Sequence, residues 1–207
     1  MNMQRNFTLI ARLALAALGC LQVAMLVLLS GCGGQPVNQP GAAEATATVQ
    51  VDSAIQQKFD KALLALNAGE YDTAISMLQE VIVSEQRLAA PYVNLGMAYQ
   101  RKGDNRNAEE YLRKAVAIDL GNPVANNELG MLYRKLGRFD DARHAYSNAL
   151  AQHPDYLPAI KNLGILCDIY LQDVDCALKQ YERFLEYVPD DKTVAIWVVD
   201  IKRRAGR

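Results

Sequence analysis

Two apolar patterns of different kind divide the chain. Between residues 13 and 29 the only strongly polar side chain is Gln22, and the twelve residues ahead of this run carry Arg5 and Arg12 and no acid. A cationic stretch followed by an unbroken apolar run has the make-up of a signal peptide or an N-terminal anchor. The run is barely long enough for a spanning helix, which needs roughly 20 apolar residues. Residues 33–52 are then mostly Gly, Pro, Ala, Thr, Gln and Val with almost no charge, a composition that buries too little apolar surface to fold and reads as a flexible tether. From residue 55 onward the pattern changes again. Small, apolar and aromatic residues return at a fixed period: the blocks beginning at Ala89 and Pro123 align without a gap, 34 residues apart, a third copy begins at Leu157 and a more diverged one near Ile55.

Each recurring position has a physical task. Ala62, Gly96, Gly130 and Gly164 are small where the two helices of a hairpin pack closely, opposite Ala74, Ala108, Ala142 and Ala177. Gly69, Gly103 and Gly137 stand where a helix ends in a left-handed residue. Tyr71 and Phe139 follow two residues later and fill the hairpin, and Leu78, Leu112, Tyr146 and Tyr181 continue the buried stripe. Pro154 and Pro189 stop the second helix of their repeats. The fourth copy needs one extra residue in its turn and loses the glycine there. After Pro189, Val194, Trp197, Val198 and Ile201 fall at helical spacing, Asp191 is placed to cap that helix, and Lys202, Arg203 and Arg204 suit its C-terminal end. Each hairpin has an apolar face that it cannot bury alone, so the hairpins must stack.

This pattern resembles the tetratricopeptide repeat (TPR) family over residues 55–191. The resemblance implies an all-α fold, a right-handed α-solenoid of about four helical hairpins (55–88, 89–122, 123–156 and 157–191) closed by a capping helix at 192–204. A second resemblance concerns the end of the apolar run. Leu29-Ser30-Gly31-Cys32 is similar to the lipobox of bacterial lipoproteins, an apolar residue and two small ones before a cysteine that accepts a diacylglyceryl group. Cys20 is a poorer match, with apolar sequence still to come. The expectation is a lipoprotein signal peptide at 1–31, an acylated Cys32 and a tether at 32–52, since two or three acyl chains hold firmly where one does not. Gly33 in place of an aspartate implies, in a Gram-negative host, the outer membrane facing the periplasm.

Composition narrows the function. Residues 1–31 contain two arginines and no acid, so the mature chain keeps 20 basic and 23 acidic residues, a formal charge of −3. That offers no field for nucleic acid. The only histidines, His144 and His153, are nine apart and share no reliable helical face, and no nucleophile stands in an interpretable context. No catalytic residue, cofactor, metal or small-molecule substrate is expected. Cys167 and Cys176 lack the second pair that a zinc site wants. They read either as a disulfide across the last hairpin, in an oxidising compartment, or as two small buried residues, with a structural role in both cases.

What remains is surface. In TPR arrays the first helices line a concave groove that holds a partner's peptide or helix. In this register Leu63, Met97, Met131 and Ile165 form an apolar ladder, with Arg101, Arg134 and Lys135 one turn further along and Val93, Asn127 and Lys161 one turn back. Methionines make an adaptable floor, and the cations favour acidic residues on the ligand; inter-repeat packing with a solvated rim is the alternative reading of the same residues. The two-carboxylate clamp of chaperone cochaperones matches only at Asn94, which excludes a chaperone C-terminus held by that mechanism. The resemblance to TPR lipoproteins that pilot secretins or assist pilus assembly implies a non-enzymatic, lipid-anchored protein-binding scaffold of the bacterial envelope. The alternatives are an adaptor for outer-membrane biogenesis, an envelope protease or a TonB-type transport complex, and, from another class, an accessory domain of an envelope hydrolase.

Overall fold

A computed structural model describes residues 51–206. The expected signal peptide, Cys32 and nearly all of the expected tether lie outside the described residues. Within them the chain forms α1 (Ser53–Asn67), α2 (Tyr71–Ser84), α3 (Ala89–Arg101), α4 (Asn105–Ile118), α5 (Pro123–Lys135), α6 (Phe139–Gln152), α7 (Leu157–Ile165), α8 (Val174–Tyr187) and α9 (Lys192–Arg204), with no strand among the described residues. Consecutive helices pair as hairpins, α1 with α2, α3 with α4, α5 with α6 and α7 with α8, and each second helix packs on the next first helix, ending with α8 on α9. The first helices also touch in sequence, α3 with α5 and α5 with α7. This is a helical solenoid.

Short polar residues start several helices. The side chains of Asp52, Asp104, Asn122, Asp173 and Asp191 each accept a hydrogen bond from a backbone N–H in the first turn, satisfying donors that the helix itself leaves unpaired. The hairpin turns close on glycine: Gly69, Gly103 and Gly137 have φ of 81°, 82° and 74°, where a side chain would be strained. Pro154 and Pro189 lie just beyond α6 and α8, as expected.

The close approach inside each hairpin differs in detail from the expected meeting of small residues. A Cβ at Gly130 would stand 2.4 Å from Tyr146 Cε1, one at Gly164 2.6 Å from Tyr181 Cε1, and one at Gly96 2.5 Å from Leu112 Cγ. Each glycine therefore receives the large side chain of the buried stripe, and the small alanines opposite let the helices come near enough for this to happen. Tyr146, Tyr181, Leu78 and Leu112 are all fully buried.

In the fourth hairpin the extra residue is absorbed in the helix before the turn. Residues Leu166–Tyr170 form a π-helical turn that prolongs α7, the usual way a helix accommodates one added residue. Leu171 N–H donates to the Leu166 carbonyl at 3.1 Å. The bond that closes the hairpin spans five residues in the earlier copies, Asp104 to Tyr99 and Arg138 to Tyr133, and six here, Asp173 to Cys167. Gln172, at φ 53°, takes the left-handed position that glycine holds elsewhere.

The buried side chains fall into two clusters. One comprises Ala62, Ala65, Leu66, Ala74, Ile75, Leu78, Leu95 and Ala98. The other runs from Val93 through the remaining hairpins to Val194, Val198 and Ile201 of α9. Tyr99 packs against both and stacks on Tyr111, ring centroids 5.4 Å apart. Trp197 of α9 lies against Tyr181 at 5.2 Å, so α9 covers the last hairpin as a cap.

Candidate protein-binding groove

The period of 34 residues and the contact between neighbouring first helices set equivalent side chains of α3, α5 and α7 in a row. Met97, Met131 and Ile165 are half-buried, resting on the core with part of each side chain open. Arg101 and Lys135 are exposed and Arg134 is half-buried. Lys135 Nζ donates to Asn105 Oδ1 at 3.2 Å. The Arg134 guanidinium stands 5.9 Å from the centre of the Tyr170 ring, which in turn packs on Phe139 at 5.0 Å. These contacts hold the cations loosely at the rim while leaving their donors available.

One turn back, the expected row does not survive as a lining. Val93 is 2% exposed and part of the core, and Asn127 is 3% exposed, so neither offers a surface to a ligand. The next first helix covers them, because the solenoid brings these positions between repeats. Asn127 Oδ1 accepts from Asn162 Nδ2 at 2.9 Å. Lys161 is committed as well. Its ammonium bonds Asp191 at 3.2 Å and lies over the Phe184 and Trp197 rings at 5.0 and 5.6 Å. Asn94 keeps partial exposure but donates to the Ala90 carbonyl at 2.8 Å. Leu63 is half-buried.

Glu128 is the feature of this face that sequence reasoning passed over. It shares its register with Asn94 and Asn162, and burial pushes its carboxyl above the ordinary range, opposed by a hydrogen bond from Asn127 and by the charge of Arg101. Desolvation disfavours the charged form of this acid, which is set inward beside Arg101, with Lys135 and Arg134 further along. In sequence the register reads Asp60, Asn94, Glu128 and Asn162, two acids and two amides, and an acid there has no weight until burial is known.

The remaining candidates lie elsewhere. His144 and His153 are exposed. Cys167 and Cys176 are joined by a disulfide, with Cα atoms 5.8 Å apart; Asp173 lies beside them, but sulfurs bonded to each other do not ligate a metal. Cys32 is outside the described residues. Among those residues no helix is long and apolar enough to cross a membrane.

Comparisons with known proteins agree with this architecture. Two models described as tetratricopeptide repeat match residues 59–123 and 99–166, together just over half of the chain. A probable UDP-N-acetylglucosamine–peptide N-acetylglucosaminyltransferase SPINDLY from Solanum lycopersicum is 28% identical over 93 residues, 45% of this chain and 10% of that protein; the chain thus spans only about a tenth of the length of the first curated relatives it matches. Photosystem I assembly protein Ycf3 from Prochlorococcus marinus is 27% identical over 146 residues, 65% of this chain and 82% of that protein. Among solved structures, that of Pseudomonas aeruginosa PilF superposes with a TM-score of 0.67 at 21% identity, covering 73% of this chain and 69% of that one, a likeness of fold. With the repeat period, the glycine turns and the family models in agreement, the chain belongs to the tetratricopeptide repeat proteins.

Proposed function

We propose that this chain is a non-enzymatic, lipid-anchored scaffold that holds a protein partner in its first-helix groove at the bacterial envelope, in the service of assembling a pilus or secretin complex. The observation that carries the reading is the row of Met97, Met131 and Ile165, half-buried at one place of three adjacent helices, with Arg101, Arg134 and Lys135 one turn on. A partner segment that fits has apolar anchors at regular spacing and carboxylates beside them. The anchor is supported by Leu29-Ser30-Gly31-Cys32 at the end of the apolar run, and the role in assembly by the likeness to PilF in fold and by a relative whose name is that of an assembly protein.

The test is co-purification of envelope proteins with the wild type, Met131→Ala and Arg134→Glu, each shown to be folded by circular dichroism. Loss of the central anchor weakens binding by roughly 1–2 kcal/mol or more, and the charge reversal acts mainly on association rate and its salt dependence. Two folded variants that retain every partner at wild-type affinity overturn the groove reading. Intact-mass measurement of the mature protein tests the anchor separately: an acylated N-terminal Cys32 supports it, and a free thiol or cleavage elsewhere removes it.

A further inference from the structure

The same place in the four hairpins is filled by Leu78, Leu112, Tyr146 and Tyr181, so the fold asks for bulk there and not for a hydroxyl. In the third hairpin the hydroxyl is fully buried and meets no hydrogen-bond partner among the described residues. An unpartnered buried donor costs stability, a cost that the leucines avoid. The Tyr146 ring lies over Gly130 of α5. Burial pushes its phenol above the ordinary range, Arg134 opposes this, and Glu128 and Tyr170 add to it. The hydroxyl therefore stands within electrostatic reach of the groove side of α5 and of the π-helical turn that prolongs α7.

Arg134 is the second unusual group. Among the described residues four cations are half-buried, and three of them are bonded: Arg143 to Asp173, Lys161 to Asp191 and Arg183 to the Pro154 carbonyl. Arg134 makes no hydrogen bond or ion pair among these residues, and its guanidinium lies by the Tyr170 ring. Tyr181, a second phenol raised by burial, also feels its charge. A guanidinium and a phenol, both without an acceptor, thus stand at one place of the groove. The local charge selects the acceptor. Glu128 is opposed by Arg101 and Asp168 is bonded to Arg204, so Arg134 and Lys135 leave the sum positive. A carboxylate takes short, charge-assisted bonds from donors of both kinds, whereas a neutral carbonyl leaves the guanidinium uncompensated and an ammonium is repelled.

We propose that Arg134 and the Tyr146 hydroxyl together form the seat for one carboxylate side chain of the partner segment, the guanidinium and the O–H both donating to it. This rests on the groove reading and sharpens it: of the partner's acidic residues, one has a fixed place at the level of α5, beside the apolar anchor that meets Met131. Met131 and Arg134 are unbranched and half-buried, and a change of rotamer in these adaptable side chains admits the carboxylate to the hydroxyl without movement of the backbone.

The experiment selects binders of the full chain from a displayed library of random peptides, then measures synthetic copies by surface plasmon resonance against wild type, Met131→Ala and Tyr146→Phe. The selected peptides are expected to share an aspartate or glutamate at a fixed distance from an apolar anchor. Changing that acid to its amide should weaken binding at least about tenfold, the worth of a hydrogen bond to a charged group. Tyr146→Phe keeps the ring over Gly130 and should melt no lower than wild type, yet release the acidic peptide at least about tenfold faster while holding the amide peptide as wild type does. A hydroxyl with a purely structural role would instead lower the melting temperature and leave the ratio of acid to amide affinity unchanged. That result overturns the inference, as does equal binding of acid and amide peptides by the wild type; in both cases the groove reading stands if Met131→Ala weakens the peptides. Peptides indifferent to Met131→Ala, or no enrichment at all, overturn the groove reading and this inference with it.

Discussion

The first and the fourth hairpins are built on one 34-residue plan and are held in quite different ways. In the first, α1 and α2 share a small cluster of Ala62, Ala65, Leu66, Ala74, Ile75 and Leu78. The positions of α1 that would face a preceding repeat, Lys61 and Leu64, stand open, Leu64 at 69% exposure. Their counterparts Leu95, Ala98, Leu129, Leu132, Leu163 and Leu166 are all buried. The cross-hairpin ion pair of Lys58 with Glu80 is solvent-exposed, where such pairs contribute little. In the fourth hairpin Tyr181 fills the space over Gly164, Trp197 of the cap closes over Tyr181, Asp191 fixes the start of the cap, and a disulfide joins α7 to α8. The difference teaches that in a stacked array an end is as firm as what covers it. Among the described residues one end is uncovered and carries a lysine, and the other is capped and cross-linked, so the groove between them is anchored from its C-terminal side.

The largest way to break this asymmetry is Tyr181→Ala, which empties the space over Gly164 and removes the support of Trp197. It should cost about 3–5 kcal/mol, by analogy with other buried aromatic truncations, and blue-to-red movement of Trp197 emission should accompany it; chemical denaturation measures the loss. Removing the disulfide as Cys167→Ala/Cys176→Ala comes next. Its short loop constrains the unfolded chain by about 2–3 kcal/mol in the entropic account, and the variant should melt lower than wild type while reductant no longer changes its melting temperature. A smaller effect belongs to Asp191. The backbone N–H of Val194 holds its carboxyl below the ordinary aspartate range, with burial opposing and Lys161 assisting. A depressed pKa means that the ionised carboxylate favours the folded state, fully above the unfolded aspartate pKa and progressively less as pH falls through the lower folded value. Melting followed across the acid limb should show this dependence in wild type and a shallower one in Asp191→Asn, which keeps the cap acceptor and loses the charge.

Much of this was legible in the sequence, for reasons that particular residues make clear. Gly103 and Gly137 announce their turns because only glycine takes that backbone cheaply, and the recurrence of Ala62, Gly96, Gly130 and Gly164 fixes the register of the hairpins before any coordinates. The groove was legible only in part. Val93, Asn127 and Lys161 share a register and were read together, yet the first two are sealed between repeats and the third is held by Asp191 and two rings. Burial at such a position depends on the neighbouring helix, which a one-dimensional pattern does not contain. Glu128 was missed for the same reason, and the π-helical turn at Leu166–Tyr170 was misplaced into the loop because counting residues shows that one is extra without showing where the backbone takes it up.

Native-state hydrogen exchange, resolved by peptide, tests the asymmetry most directly. Amides of α1 and α2 should exchange through local openings of lower free energy than those of α5 to α8, and reduction of the disulfide should bring the protection of α7 and α8 down toward that of the first hairpin. Uniform protection along the array, or a first hairpin that outlasts the fourth, would contradict the account.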